Sequence, residues 1–321
     1  MTVSERYRAD YEALRHGAGG VTVARDVLVV TGPDAASFLQ GQLSQDVAAL
    51  APGEVTSSLL LQPDGKLHSL LRVSRAGPDR FVCDLAAGAG EAALARLERF
   101  KLRVDVDLEL HRLSMLAVRG PAAPALPLGA ADSPAADAPG DAPAGRDDRR
   151  APVVAAPVRW GSLPGWDLVA GQVAPPPGTT LCGADALEAV RIESGVPAAG
   201  RELTEGLIPA ESGIVAETVS FTKGCFVGQE LVARIDSRGG RTPRRLRGVV
   251  LEDAEPPATG APLIDADGKP LGRITSSAYS PALAAAVALA YVHRRVDPPA
   301  VAAVGAVGGP GCEIRTLPLV P

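Results

Sequence analysis

Lys223-Gly-Cys-Phe-Val-Gly-Gln-Glu230, KGCFVGQE in one-letter code, is the stretch on which the assignment of this 321-residue chain depends. Gly224 and Gly228 bracket three residues, and glycine permits backbone conformations and close approaches that a side chain forbids. The stretch therefore predicts a shaped turn. A turn of this kind needs its backbone amides satisfied, so Gln229 and Glu230 are expected to cap or buttress it.

Cys225 lies at the centre of this turn, two residues from Lys223. A nearby cation stabilises a thiolate, which is the reactive form of cysteine. The alternative is that Cys225 is a small buried hydrophobic residue, as free cysteines often are. The spacing leaves both interpretations open. The other cysteines are far apart without a CxxC motif, which argues against a disulfide framework or a metal site.

The composition, 46% hydrophobic with a formal net charge of −5, is that of a globular chain long enough for two or three domains. Its longest apolar run, 281–292, is well short of the roughly 20 residues that a membrane span needs, and predicts a buried strand. Residues 1–17 are charged throughout and lack the apolar core of a secretory signal. We therefore expect a cytoplasmic protein without a membrane partner.

The acidic balance gives no electrostatic signature for nucleic acid over the whole surface. One exception is the stretch SRGGRTPRRLRG, which contains Arg238, Arg241, Arg244, Arg245 and Arg247. It is either a solvated linker between domains or a contact for an anion or RNA. The lack of interleaved aromatic residues favours the linker.

Hydrophobic periodicity predicts a mixed fold. Residues 56–110 form a β-β-β-α-β pattern with a hairpin turn at Pro63-Asp64-Gly65, and the alternation over 102–110 predicts a half-buried strand. From 120 to 152 alanine, proline, glycine and aspartate dominate, which predicts a loop or partly disordered insertion.

The second half of the chain begins with a predicted turn between two strands, at the Pro-Gly pair that Trp160 and Trp166 flank. A helix follows over 183–197, with Gly195 as its C-cap. The last 75 or so residues read as successive strands with an Asp267-Gly268 hairpin. They predict a small antiparallel barrel or sandwich.

KGCFVGQE resembles the signature of the YgfZ family, the folate-binding proteins of iron–sulfur cluster assembly and maintenance, which are relatives of the glycine-cleavage T-protein (aminomethyltransferase). Four other stretches match the family in the same order: TGPDAASFLQGQLSQDV, LQPDGKLHSLLRV, RIESGVPAAGRELTEGLIPAE and LGRITSSAYSPAL. The resemblance thus covers nearly the whole chain. The octapeptide is highly specific, and the other stretches are specific to the wider superfamily.

The resemblance implies an α+β, three-domain, cloverleaf architecture around a central opening where tetrahydrofolate binds, with a C-terminal antiparallel β-barrel. It implies these boundaries: domain 1 over 1–50 and 112–238, with a Pro/Ala-rich loop at 121–152 and the KGCFVGQE motif in its second part; an inserted α+β domain 2 over 51–111; and the barrel over 239–321.

The resemblance also implies the site. Asp167 takes the place of the carboxylate that recognises the pterin in the T-protein, although it could equally be a strand-end aspartate facing water. Arg191 and Glu193 either line the folate opening or form an internal ion pair that fixes their helix. The remaining residues expected around the folate are Trp166, Gly224, Phe226, Gly228, Gln229 and Glu230.

Two departures from the T-protein pattern stand out. The catalytic aspartate of the T-protein has no clear counterpart over 88–92, although Glu91 is close. The T-protein also has an arginine in the helix before its RLEAG-like motif, and in this chain that position falls near Leu187. Aminomethyl transfer needs that acid. The resemblance therefore implies a tetrahydrofolate-binding accessory protein in which Cys225 and Lys223 are the reactive pair.

This accessory protein is expected to be a monomer that makes transient contacts with iron–sulfur assembly proteins or client enzymes, possible clients including tRNA-modifying enzymes. A single thiolate cannot hold a cluster, which needs about four protein ligands. The alternatives are a one-carbon transferase of the T-protein type and a scaffold without folate.

Overall fold

The computed structural model describes residues 3–125, 154–171, 173–252 and 254–321. Nearly all of the Pro/Ala-rich loop predicted at 121–152 lies outside the described residues. The elements in chain order are α1 (Glu5–His16), β1 (Gly19–Thr31), α2 (Ala35–Gln42), β2 (Val55–Leu61), β3 (Leu67–Gly77), β4 (Arg80–Ala86), α3 (Gly90–Glu98), β5 (Asp107–Arg119), β6 (Val154–Trp160), β7 (Leu163–Ala170), β8 (Thr180–Leu181), α4 (Ala184–Glu193), a 3₁₀ turn (Pro209–Glu211), α5 (Val215–Thr218), α6 (Gln229–Ser237), β9 (Arg244–Leu251), β10 (Pro262–Ile264), β11 (Pro270–Ser280), β12 (Ala285–His293), β13 (Ala300–Val304) and β14 (Gly311–Arg315).

The first lobe is one curled sheet in the order β2-β3-β4-β1-β5-β7-β6, with β8 beside β1. In a flat sheet β3 and β7 would lie roughly 19 Å apart, because four spacings of about 4.8 Å separate them. Yet Arg72 of β3 donates a hydrogen bond to Asp167 of β7 over 2.7 Å. The sheet is therefore curled into a half-barrel that brings these two strands together.

The C-terminal lobe is a closed six-stranded barrel in the order β10-β11-β12-β9-β14-β13. Its central strand β12 is buried over its whole length apart from His293, which explains the apolar run at 281–292. The hairpin turn predicted at Asp267-Gly268 connects β10 and β11, and Gly268 has the positive φ of +79° that this turn needs. The predicted barrel is confirmed.

The predicted domain boundaries do not separate two sheets. Strands β2, β3 and β4 continue the same sheet as β1 and β5, and residue 111 falls inside β5. The sequence pattern shows hairpins between neighbouring strands, but it does not show that β1 pairs with β4 on one side and β5 on the other.

The strand predicted over 102–110 is wrong in its first half. It begins only at Asp107, and Leu102 is 75% exposed. Arg103 has a φ of +58°, a left-handed conformation that interrupts an extended chain. Val104 and Val106 nevertheless pack into the core of the sheet, so the alternation reflects the buried face of a segment that is not a strand.

The turn predicted at the Pro-Gly pair is also misplaced. The chain turns at Gly161, whose φ is +62°, while Pro164 and Gly165 lie inside β7. Gly165 is needed there because a Cβ would lie 2.2 Å from the carbonyl oxygen of Val118 on the neighbouring strand. The helix predicted over 183–197 is confirmed as α4, with Gly195 at a φ of +72° just beyond its end. None of the described helices has the length and apolar character that would let it cross a bilayer.

Candidate functional site

A cavity of about 650 Å³ lies on the concave side of the curled sheet, closed by the end of α4 with the loop after it and by residues 212–218. Its wall contains six charged or aromatic side chains from the sheet and two polar side chains from α4 and its end: Arg25, Arg72, Arg119, Arg159, Trp160, Asp167, Arg191 and Ser194. Of the predicted site residues, Asp167 and Arg191 therefore line the cavity.

The floor of the cavity is a chain of ion pairs. Asp84 of β4 accepts hydrogen bonds from Arg25 Nε over 2.9 Å and from Arg72 Nε over 2.8 Å. Asp167 of β7 accepts from Arg72 Nη1 over 2.7 Å and from Arg119 Nη1 over 2.8 Å. Three guanidinium groups and two carboxylates leave this chain of ion pairs with one net positive charge.

Both aspartates stay ionised although they are buried. Burial by itself would raise the pKa of Asp84, but the guanidinium groups of Arg72 and Arg25 outweigh it and lower that pKa. Burial would likewise raise the pKa of Asp167, and Arg119 and Arg72 lower it. Burial would lower the pKa of Arg72, but its two aspartates raise it. The wall therefore presents fixed guanidinium donors at neutral pH.

Two polar atoms of the wall have no hydrogen-bond partner among the described residues: Arg119 Nε and Ser194 Oγ. Arg119 is 2% exposed, and its guanidinium carbon lies 4.3 Å from the ring centroid of Trp160. Buried polar atoms without partners are rare in proteins. A ligand with carbonyl or carboxylate acceptors and a flat ring would suit this wall in charge and shape.

The structure separates Trp166 from Asp167, its neighbour in β7. The two side chains point to opposite faces of the sheet, as successive strand residues do. Trp166 packs against Leu116 and Val118 and donates its indole N–H to the Pro124 carbonyl over 2.8 Å. It is not among the cavity-lining residues.

Arg191 and Glu193 are both paired, but not with each other. Arg191 donates to Glu188 and to Glu202, the latter over 2.9 Å. Glu193 is fully buried and accepts hydrogen bonds from Tyr11 and Ser280. Burial raises the pKa of Glu193 despite these bonds. The predicted ion pair between the two is therefore wrong, and Glu193 fastens α4 to α1 and β11 outside the cavity wall.

Lys223 holds the motif loop to the end of α2. Its ammonium donates to three backbone carbonyl oxygens, those of Gln40 at 2.7 Å, Leu43 at 2.7 Å and Gln45 at 2.9 Å. An ammonium has three N–H donors, so all are used. The ammonium also lies 5.2 Å from the Phe226 ring centroid. The hydrogen bonds of Lys223 therefore anchor the loop, which differs from the thiolate partner that the sequence suggested.

The glycine bend fits closely against the β2–β3 hairpin. Gly228 has a φ of +83°, and a Cβ there would lie 2.5 Å from the Gln62 carbonyl oxygen. Gln229 Oε1 accepts the Phe226 backbone N–H over 3.2 Å, so Gln229 buttresses the bend as predicted. Glu230 is exposed in the first turn of α6, and Gly224 has open space around its Cα.

Cys225 is an exposed, free thiol, which excludes the interpretation as a buried hydrophobic residue. It does not line the cavity, and neither do the other residues of the octapeptide. The loop nevertheless starts at the cavity wall, since Thr218 lines the cavity seven residues before Cys225. The candidate site thus has two parts, a cationic cavity and an exposed thiol on the loop that follows Thr218.

Sequence reasoning missed most of the cavity floor. Asp84 interrupts the apolar strand β4, and Arg119 ends the apolar run of β5. Charged residues inside apolar strands are almost never buried without partners. This signal could have identified both residues, but not Arg72 or Arg25, whose surroundings look like those of ordinary half-exposed strand residues.

Comparisons with known proteins agree with this architecture. The GCVT N-terminal domain family matches residues 2–135, and the glycine cleavage T-protein C-terminal barrel domain matches residues 244–309. An aminomethyltransferase of Streptomyces coelicolor is 30% identical, over 96% of this chain and 85% of its own length. An aminomethyltransferase of Bacillus subtilis is 26% identical, over 90% of this chain and 83% of its own.

A solved structure shares the fold. The glycine cleavage system aminomethyltransferase T from Bartonella henselae superposes with a TM-score of 0.78, at 21% identity, over 98% of this chain and 89% of that one. A half-barrel sheet followed by a closed six-stranded barrel defines the T-protein-like fold class. The chain belongs to the superfamily of the glycine-cleavage T-protein.

Replacing Gly228 by alanine tests the fit of the bend. We expect a loss of at least about 2 kcal/mol of unfolding free energy, because alanine is strained at this positive φ and its Cβ would meet the Gln62 carbonyl oxygen. Denaturant unfolding measures this loss of unfolding free energy. Gly224→Ala is the matched control, since a Cβ there meets nothing within 4 Å. Equal effects of the two substitutions would contradict the assignment.

Replacing Lys223 by methionine tests the anchor. We expect a loss of about 1–3 kcal/mol at pH 7, because carbonyls at the end of α2 lose their donor. Burial lowers the pKa of Lys223 from 10.5 to about 8. Between pH 8 and 10.5 the unfolded chain therefore binds more protons at this residue than the folded one, so native stability relative to the variant rises with pH.

Urea unfolding of the native protein and of Lys223→Met from pH 7 to 10 measures the difference in their unfolding free energies. Lys269→Met, a substitution of an exposed lysine, is the control. A difference that falls with pH would count against the assigned environment of Lys223.

Proposed function

We propose that this protein binds tetrahydrofolate in the cavity and uses the exposed thiol of Cys225 to assist iron–sulfur enzymes in the cytoplasm. The observation that carries the folate part is the cavity wall, with its guanidinium donors, an adjacent indole ring and two buried polar atoms that have no hydrogen-bond partner in the described part of the chain. A reduced folate carries a flat pterin with a carbonyl group, and a tail with carboxylates. These are the acceptors that such a wall favours.

Each wall residue has a role that follows from its own chemistry. Arg72 and Arg119 place N–H groups where an acceptor of the ligand would sit, and Trp160 offers an apolar face to a ring. Asp167 already accepts one hydrogen bond on each oxygen, so only its remaining lone pairs are available to pterin N–H groups. Bound tetrahydrofolate would supply a nucleophilic amine that carries one-carbon units.

The accessory role rests on the motif loop. Cys225 is exposed while the backbone around it is fixed by Lys223 and Gly228. A fixed, accessible thiol is suited to brief contact with a sulfur or iron centre on another protein. Because one thiolate cannot hold a cluster by itself, the partner supplies the remaining ligands.

Aminomethyl transfer is the second candidate, and it is supported by the relatives, which are named aminomethyltransferases. The reaction needs a carboxylic acid beside the folate amine. Glu91, the residue nearest to the expected place of that acid, has a side chain that is 69% exposed and is paired with Arg112 over 3.1 Å. It does not line the cavity, which favours the accessory role.

Calorimetric titration with tetrahydrofolate tests the cavity. Trp160→Leu should weaken binding by at least about fivefold, since it removes an aromatic face worth about 1 kcal/mol and loosens Arg119. Cys225→Ser lies outside the wall and should bind as tightly as the native protein. No binding by the native protein would refute the folate proposal and leave the scaffold alternative.

Complementation of a deletion strain tests the thiol. Cells carrying Cys225→Ala should lose most of the activity of an iron–sulfur enzyme, such as a radical tRNA methylthiotransferase, while Cys182→Ala, a half-exposed thiol elsewhere, should restore it. The purified protein is then assayed for aminomethyl transfer to tetrahydrofolate. Turnover that is indifferent to Cys225→Ala would establish the second candidate instead.

A further inference from the structure

The second half of the arginine-rich stretch is part of the barrel. Arg244 and Arg245 begin β9, whose eight residues pair with β12 and β14. The interpretation as a solvated linker is therefore wrong for the part from Arg244 onward, while residues 238–243 do connect α6 to β9. Arg238 and Arg241 lie immediately before β9, in the chain that connects it to α6.

The pairing of β9 with β12 adds two further arginines from a distant part of the sequence. His293 is the register partner of Arg244, and the Arg294 backbone N–H donates to the Pro243 carbonyl oxygen over 3.0 Å. Arg294 and Arg295 thus meet the arginines of β9 at one end of the barrel. We call this set the basic edge; it consists of Arg238, Arg241, Arg244, Arg245, Arg247, Arg294 and Arg295.

Most of the basic edge has no opposite charge to pair with. Among the described residues, only Arg244 forms a salt bridge, with Glu211 over 2.8 Å, and it also packs on the Tyr291 ring. Arg247 is half-buried and donates to a backbone carbonyl. The segments 238–247 and 293–297 contain seven arginines and one aspartate, a balance of +6, in a chain with a net charge of −5.

Two arginines of this edge, Arg245 and Arg247, repel each other. Burial and the charge of Arg245 lower the pKa of Arg247, and Asp297 only partly offsets them. A cluster of like charges is unfavourable in the free protein and becomes favourable when a polyanion neutralises it. The cluster therefore predicts a negatively charged partner, but it does not identify the chemical class of that partner.

The chemical class of the partner follows from the lack of exposed apolar side chains at the basic edge. The exposed large hydrophobic residues in the described part of the chain are Leu102, Leu181, Phe221, Val301 and Val307, and none lies in the segments 238–247 and 293–297. Stable protein interfaces are built around a buried apolar core. Binding to a phosphate backbone needs only positive charge.

We propose that the basic edge binds the phosphate backbone of a base-paired nucleic acid without reading its sequence. Arginine forks bind phosphate oxygens in two-point contacts, and the edge offers five exposed arginines that lack a carboxylate partner within the described chain: Arg238, Arg241, Arg245, Arg294 and Arg295. It offers no exposed aromatic ring on which an unpaired base could stack. Folded RNA with helical stems satisfies these conditions.

The test is fluorescence anisotropy of the full-length protein with labelled bulk tRNA between 50 and 300 mM KCl. We expect an affinity that falls steeply with salt, because each phosphate contact releases condensed counterions. The triple variant Arg241→Gln/Arg245→Gln/Arg294→Gln should lower the slope of log K against log salt by about 2 to 3. The control Arg6→Gln/Arg8→Gln/Arg80→Gln removes the same charge from exposed positions elsewhere and should leave the slope nearly unchanged.

Three results would overturn the proposal: no binding at 50 mM KCl, an equal loss in both triple variants, or competition by poly-L-glutamate that is as effective as tRNA at equal charge. The last result would assign the edge to an acidic protein. Thermal unfolding checks that both variants fold. If the triple variant unfolds early, the single variants Arg241→Gln and Arg294→Gln replace it, each with an expected slope change of about 1.

Discussion

Arg72 bridges two aspartates that belong to distant strands of the same sheet, and much of the site depends on this bridge. Asp84 and Asp167 reach it from β4 and β7, which can happen only if the sheet is curled. The bridge thus holds together the concave surface that forms the cavity, and it also sets the charge of the cavity floor. Removing one partner of a buried ion pair costs about 3–5 kcal/mol, because the other charge is left uncompensated. Shape and ligand recognition therefore rest on the same atoms.

The motif loop divides its work between residues that the sequence had grouped together. Lys223 faces inward to three carbonyls, and Gly228 lets the bend approach the hairpin closely. Cys225 faces solvent. The conformation of the thiol is therefore set by its neighbours, while its chemistry stays available to another molecule. A lysine two residues from a cysteine is no evidence by itself for an activated thiolate, since the ammonium follows its best hydrogen-bond acceptors.

The sequence predicted those parts of the structure that local rules control. The Asp267-Gly268 hairpin follows from turn chemistry, and the end of α4 at Gly195 follows from helix capping. The cavity floor could not be predicted in this way, because Arg72 and Asp167 are 95 residues apart in sequence and meet only through the curvature of the sheet. The strand predicted from residue 102 shows the converse, since Val104 and Val106 alternate into the core from a segment that is not a strand.

The bend at Gly228 and the hairpin turn at Gly65 pack back to back, and neither has room for a Cβ: one at Gly65 would lie 2.7 Å from the Gly228 carbonyl oxygen. Two turns in this contact must shift together. An insertion that lengthened the β2–β3 hairpin would therefore disturb the Cys225 loop. The position of the exposed thiol therefore depends on the length of a hairpin that lies more than 150 residues earlier in the chain, and the two can change only together in evolution.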